Sequence, residues 1–190
     1  ALDWEIIEVV QQTKKGDVSI NQDEECKKFM PAKFGGLKPA FAINGTITAA
    51  NASKLNDGAC AFVLMSEEEA KARGLTPLAK ILGYDDAAVA PIDFGIAPSK
   101  AVPKALKRAG LDLKDVDYHE VNEAFSAVAL ANSQMLDLDM SKVNVHGGAV
   151  ALGHPLGMSG ARIILSLINV LRKKDASIGM ASICNGGGGA

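Results

Sequence analysis

Residues 147–162 read Gly147-Gly148-Ala149-Val150-Ala151-Leu152-Gly153-His154-Pro155-Leu156-Gly157-Met158-Ser159-Gly160-Ala161-Arg162. Five glycines and one proline surround a single histidine, and the apolar run Ile163 to Leu171 follows at once. Upstream, Val143-Asn144-Val145 alternates as a short strand does. His154 is therefore expected on a tight loop between a strand and a helix N-terminus. Loops of this kind hold reactive side chains against a rigid scaffold while leaving them accessible. Taken alone, the stretch also admits the plainer reading of a turn that contains a histidine.

Outward from it, strand and helix signals alternate. Val116–Val121 predicts a strand, Ala124–Leu136 an apolar helix, Ser159–Lys173 a helix and Ser177–Cys184 a strand. Pro103–Ala109 predicts a helix with its proline in the first turn and Gly110 at its end. Leu78–Leu82 predicts a strand, and Asp85–Pro98 a long loop. Gly58–Met65 is nearly all apolar and predicts a strand buried on both faces. Ser66-Glu67-Glu68-Glu69 has the Ser-x-x-Glu spacing of a capping box, so a helix to Arg73, closed by Gly74, is expected. Nearer the start, Ile6–Val10 predicts a strand, Asn21–Lys28 a short polar helix or loop, and Asn44-Gly45-Thr46 a turn. The alternation implies an α/β fold, a mixed sheet covered by helices.

The bulk properties exclude several classes. With 190 residues the chain is long enough to bury a sizeable core. A net charge of −2 gives no electrostatic footprint for nucleic acid or an anionic membrane. No apolar run reaches the roughly 18 residues that span a bilayer. Cys26, Cys60 and Cys184 are odd in number and far apart, which suits reduced thiols of an intracellular protein better than a disulfide framework or a zinc site. Lys27, Lys28 and Lys33 around Phe29-Met30-Pro31 read either as solvated basic surface or as a cationic patch for a phosphorylated ligand. Ala1-Leu2-Asp3-Trp4-Glu5 lacks the basic and apolar regions of a signal peptide, and both chain ends read as cuts inside a longer protein.

Three loops carry chemistry. Asn122-Glu123-Ala124-Phe125 follows the strand ending at Val121. Gly153-His154-Pro155 follows the strand at Val143–Val145. Cys184-Asn185-Gly186-Gly187-Gly188-Gly189 follows the strand ending at Ile183. In a parallel sheet these loops share one rim. An ionised thiol is a nucleophile or base, and an imidazole exchanges protons with it near neutrality. A carboxamide orients a carbonyl or holds a water, and glycine amides donate to an oxyanion. Cys184 alone also reads as a buried small hydrophobe and Asn122 alone as a helix N-cap, so it is the coincidence of the three that points to catalysis. His119-Glu120-Val121-Asn122-Glu123 mimics a zinc-protease motif, but Glu123 stands where the second histidine belongs. His119 and His146 are expected to be structural.

These blocks resemble the signatures of the thiolases, most closely the biosynthetic acetyl-CoA acetyltransferases of mitochondrial type. Thr48-Ala49-Ala50-Asn51-Ala52-Ser53 and Asn56-Asp57-Gly58-Ala59 agree as well, and the likeness covers essentially the whole chain. It implies a thiolase-like fold and a division into the remainder of a coenzyme A-binding loop domain (1–55), the closing strand and helix of the N-terminal domain (56–76) and the C-terminal domain (77–190). His154 would activate the acyl-accepting nucleophile and help bind the thioester oxygen. Cys184 would remove the α-proton of acetyl-CoA and return one to the departing group. Asn122 would hold the water that completes an oxyanion hole with His154, and the Gly186 amide would contribute to a second. Ser53 would contact the pantetheine arm, with Phe41, Ala49 and Phe125 lining its tunnel. Lys28, Phe29, Met30 and Lys33 would lie in the nucleotide-binding segment. Carbonyls around Ala49, Ala50, Ala52 and Val150 would hold a potassium ion.

The resemblance further implies coenzyme A as substrate rather than a covalent cofactor, a homo-oligomer (dimer or tetramer), and the mitochondrial matrix or the cytoplasm as location. It also exposes a departure. The family's acylated cysteine has no counterpart here, since Cys26 and Cys60 stand in other contexts. The chain is therefore expected to be incomplete, lacking an N-terminal half and a last strand, and inactive alone, because an acyl-enzyme needs that thiol. Two alternatives stand beside it: a non-catalytic module of thiolase descent that binds coenzyme A or lipid, and a 3-ketoacyl-CoA thiolase for longer chains.

Overall fold

A computed structural model describes residues 3–190, with Cys26 by its backbone only. The packed part begins near residue 87. Strand β3 (Tyr118–Val121) and β4 (Gly179–Ser182) pair in parallel, Tyr118 opposite Gly179 and Val121 opposite Ser182. On the other side of β3, Val143 makes a parallel bridge to His119, so β3 is flanked on both edges. Beyond β4 the chain turns back, and residues 188–190 run antiparallel to 87–89 through Val89 N–H to the Gly188 carbonyl (2.8 Å) and Ala87 N–H to the Ala190 carbonyl (3.1 Å). Gly188 has φ +97°, and a Cβ there would lie 2.3 Å from the Val89 carbonyl oxygen, so only glycine fits.

Helices cover both faces. α5 (Ser159–Lys173) packs on one face with Ile163, Leu167 and Val170 buried. The other face receives α2 (Pro98–Ala109) and α3 (Ser126–Met135). Val102, Leu106 and Val116 cluster with Ile178 and Met180, and Val121, Ala129 and Val143 form a second cluster. Side chains alternate along a strand. His119 and Val121 thus face α2 and α3, whereas Tyr118, Glu120 and Asn122 face α5. Gly179, opposite Tyr118, meets Leu167 of α5 on that same side.

Several expectations are corrected here. α2 starts at Pro98, not Pro103. Asn132 of α3 accepts from the Ser99 amide at 2.8 Å and anchors the earlier turn, so tertiary packing carries the helix through Pro103 despite the missing N–H. Val143–Val145 forms one bridge, not a strand, because Asn144 turns into the left-handed region at φ +48°. The glycine-rich stretch folds into a short helix, α4 (Ala149–Leu152), where a loop was expected.

The first third is open. β1 (Val9–Thr13) and β2 (Gly16–Ile20) form an antiparallel hairpin exposed throughout, and β1 lies three residues beyond the expected start. α1 (Glu67–Ala72) is capped by Ser66 as expected, and Gly74 follows in the left-handed region. Gly58–Met65 and Leu78–Leu82 contradict their predictions: neither joins a ladder. Val63 is 86% and Leu64 74% exposed. Their apolar character is real, but among the described residues no strand lies alongside to take their amides and carbonyls.

Candidate active site

The parallel register brings the expected loops to one rim. The Asn122 amide donates to the Ser182 carbonyl at 2.9 Å, so the ends of β3 and β4 are level, and Cys184 follows two residues on, buried. The side chains of Asn122 and His154 touch, Nδ2 to Nε2 at 3.3 Å, and both residues are buried.

Hydrogen bonding selects the tautomer of His154. An amide nitrogen only donates, so Nε2 accepts from Asn122. Nδ1 then carries the proton and donates to Ser159 Oγ at 2.6 Å, while the Ser159 hydroxyl donates onward to the Pro155 carbonyl at 3.1 Å. Burial pulls the imidazole below its ordinary pKa, so the ring rests neutral with its lone pair at Nε2. Burial also pushes the Cys184 thiol up, partly offset by a backbone hydrogen bond, and the thiol rests protonated. At neutral pH the rim therefore holds a base and an acid.

The glycine run is organised by Asn185. Its side-chain oxygen accepts from the Gly187 and Gly189 amides at 3.1 and 3.3 Å, and its carbonyl accepts from Gly188 at 3.1 Å. Among the described residues the Gly186 amide, alone of the four, has no partner, and Gly186 is exposed. Beneath the Asn122 loop, Glu123 accepts from Asn144 Nδ2 and from the Val150 amide, both at 3.0 Å. A Cβ on Gly148 would lie 2.1 Å from the Glu123 carboxyl carbon, so this glycine makes room for the carboxylate. Asn144 clamps β3 by accepting from the Val121 amide (2.8 Å) and donating to its carbonyl (2.9 Å).

Segment 51–54 closes the site. Ala52 bridges Phe125, the Ser53 amide and hydroxyl donate to the Ala124 carbonyl at 3.0 and 2.9 Å, and the His154 amide donates to the Lys54 carbonyl at 2.7 Å. Phe125 meets Phe41 edge-on at 5.6 Å and Phe94 at 6.4 Å. Ser53, Phe41 and Phe125 thus come together beside the rim, whereas Ala49 lies exposed in the adjoining turn. Lys28 pairs with Glu24 and Glu25. Phe29 meets Phe34 edge-on, and Met30 and Lys33 lie exposed around that pair. Among the described residues no group of three or more His, Cys, Asp or Glu could hold a metal, and the carbonyls of Ala49, Ala50, Ala52 and Val150 are a different class of donor.

Sequence reasoning missed Ser159, Asn144, Asn185 and the role of Glu123. Ser159, five residues after His154, was read only as the helix start. Nothing in a short polar side chain announces which backbone it will hold.

Residues 75–190 match the thiolase C-terminal domain model and residues 1–68 the thiolase N-terminal domain model. The chain belongs to the thiolase family. It is 55% identical to a probable acetyl-CoA acetyltransferase of Dictyostelium discoideum, over 98% of this chain and 45% of that one. It superposes on a Bacillus anthracis acetyl-CoA acetyltransferase with a TM-score of 0.93 at 47% identity, over 98% of this chain and 48% of that one. It superposes on Acat5 thiolase from Ascaris suum, solved in complex with coenzyme A, with a TM-score of 0.87 at 49% identity, over 95% and 46%. The thiolase fold is thereby shown, and the chain spans about half the length of the relatives it matches.

Proposed function

We propose that this chain supplies the proton-transfer and oxyanion groups of an acetyl-CoA acetyltransferase. That enzyme joins two acetyl-CoA into acetoacetyl-CoA and coenzyme A, or runs the reverse, with an acylated cysteine contributed from outside these 190 residues. The contact between Asn122 and a neutral His154 with its lone pair at Nε2 carries the reading. In the first half-reaction Nε2 takes the proton of the nucleophilic thiol as its sulfur attacks the acetyl carbonyl. The departing coenzyme A thiolate takes the proton of Cys184. The resulting Cys184 thiolate removes the α-proton of the second acetyl-CoA, and the carbanion attacks the acyl-cysteine. Its sulfur leaves with the proton held on His154, so both groups return to their starting states.

Once protonated, His154 donates from Nε2 to an oxyanion, a water held by Asn122 completes that oxyanion hole, and the Gly186 amide is the donor for the second. Ser53, Phe41, Ala49 and Phe125 would border the pantetheine arm. Lys28, Phe29, Met30 and Lys33 would meet the nucleotide, although Lys28 must share its charge with Glu24 and Glu25. A potassium ion held by the carbonyls named above would steady the 49–52 turn against α4. The working assembly is proposed to be a homo-oligomer.

The test is a chimera of this chain with the part of the Bacillus anthracis relative that it does not cover. Cys184→Ser is expected to slow condensation by about 10²- to 10⁴-fold. Acetyl transfer to the enzyme, whose leaving thiolate depends less on that proton, is expected to stay measurable. Equal loss of both steps would overturn the role of Cys184. The chain alone is expected to show neither step.

A further inference from the structure

The α5-facing side of β3 contains an arrangement that the reaction above does not use. Glu120 and Asn122, two residues apart, point to the same side and are both buried. Opposite them α5 presents Ser159, Arg162 and Ser166 on one helical face. Together with Gly153 these side chains line a cavity of about 20 Å³, the size of a single water. Arg162 lies across this seam. Its guanidinium donates to the Gly153 carbonyl at 3.3 Å, one residue before His154, and approaches Glu5 at 3.6 Å.

The charged groups that face Glu120 are Glu123 from the loop after β3, Arg162 from α5 and Glu5 from the N-terminal turn. The β4 residue opposite it in register, Ala181, carries no charge. Glu120 is thus buried beside Arg162 in the lining of this cavity, while Arg162 pairs with Glu5 at its partly exposed end and Glu123 is held by Asn144 and the Val150 amide.

We infer that Glu120 is a neutral carboxylic acid acting as a positioning residue for His154, leaving Arg162 to hold the Gly153 carbonyl, and that ionisation of Glu120 draws Arg162 away and loosens His154. This rests on the reading of His154 as the working base. Burial, reinforced by Glu123 and Glu5 and opposed by Arg162, pushes the Glu120 pKa up to about 8, so the change falls within an accessible range.

The test uses the full 190-residue chain with ¹⁵N-labelled histidine and ¹³C-carboxyl-labelled glutamate, titrated by NMR from pH 6 to 9. One glutamate carboxyl is expected to ionise with a midpoint near 8, and the His154 ring nitrogens are expected to shift at the same midpoint. Burial holds the His154 pKa below its ordinary value of 6.5 and pushes the Cys184 thiol above its own, so neither is expected to produce a step near 8. Glu120→Gln should remove both steps. Arg162→Lys should keep the carboxyl step and uncouple it from His154. A flat His154 signal in the unsubstituted chain, which needs no variant to fold, overturns the inference, as does a step that survives Glu120→Gln. A chimera without condensation activity in which the coupled steps persist would sink the catalytic reading alone.

Discussion

Gly58–Met65 and Tyr118–Val121 carry comparable strand signals and come to opposite ends. The second becomes β3, flanked on both edges and covered on both faces. The first joins no ladder and stays mostly exposed, with Val63 and Leu64 facing outward. The apolar content does not separate them; their neighbours do. A strand is buried only when another backbone takes its amides and a helix covers its side chains. The contrast extends to the regions around them. From residue 87 onward the core is built from contacts distant in sequence, whereas β1, β2 and α1 are held by contacts a few residues apart and segment 51–54 is tied to the packed part.

The sharpest way to break this comparison is at Asn132. It is fully buried, accepts from the Ser99 amide at 2.8 Å, and donates to the carbonyls of Gly95 and Val128, both at 2.7 Å. Asn132→Ala leaves a buried amide and carbonyl without partners and is expected to cost about 3 kcal/mol or more. Chemical denaturation followed by a far-ultraviolet signal measures it. Val170→Ala, at a fully buried position of α5, is expected to cost about 2 kcal/mol through lost burial and the cavity left behind. Val63→Ala removes the same atoms from an exposed site and should stay within about 0.5 kcal/mol. Equal costs at 63 and 170 would mean that the two regions do not differ as described.

β3 also contains a pH-dependent pair. His119 faces α2 and α3, and burial, aided by Lys142, lowers its pKa to about 4 from 6.5. Its contribution is complete above 6.5 and is lost as pH falls toward 4. Glu120 faces α5 with its pKa raised to about 8 from 4.5. Its contribution is complete below 4.5 and is lost as pH rises toward 8. Each slope is at most about 1.4 kcal/mol per pH unit. From 4.5 to 6.5 the two slopes oppose each other, so stability should be nearly flat there and fall on either side. Glu120→Gln should remove the alkaline fall and leave the acid one. Thermal unfolding across pH 4 to 8.5 measures both, and an unchanged alkaline limb in Glu120→Gln would contradict the assignment.

The same contrast governs what was legible. α5 was read to the residue, because Ser159–Lys173 presents its apolar face at helical spacing and nothing else competes for it. The meeting of Asn122 and His154 was legible because Asn122 ends β3 and the segment leading to His154 runs parallel beside it at Val143. The start of α2 was not, since Asn132, more than 30 residues away, decides it. Nor were Ser159, Asn144 and Asn185, whose roles lie in hydrogen bonds to backbone that pattern cannot locate. Gly58–Met65 was misread because periodicity records what a segment could bury, not what lies beside it.

The smallest expected effect tests the local side of the comparison. α5 begins at Ser159, its N-cap Met158 makes no side-chain capping bond, and none is needed, since the buried face fixes the helix. α1 buries only Ala70 and depends on its own sequence. Ser66 Oγ accepts from the Glu69 amide at 3.2 Å, Lys71 pairs with Glu67 at 2.7 Å, and Arg73 pairs with Glu69. Lys80 reaches back to Glu67 at 2.9 Å. Ser66→Ala should cost about 1 kcal/mol, and the exposed ion pairs contribute little, less still in high salt. Amide hydrogen exchange is the suitable measurement, because it reports residues 67–73 separately from α5. Exchange should accelerate roughly fivefold in α1, with a further rise in salt, while α5 stays unchanged. Acceleration in α5 as well would show that the open region supports the packed one and that the two are not independent.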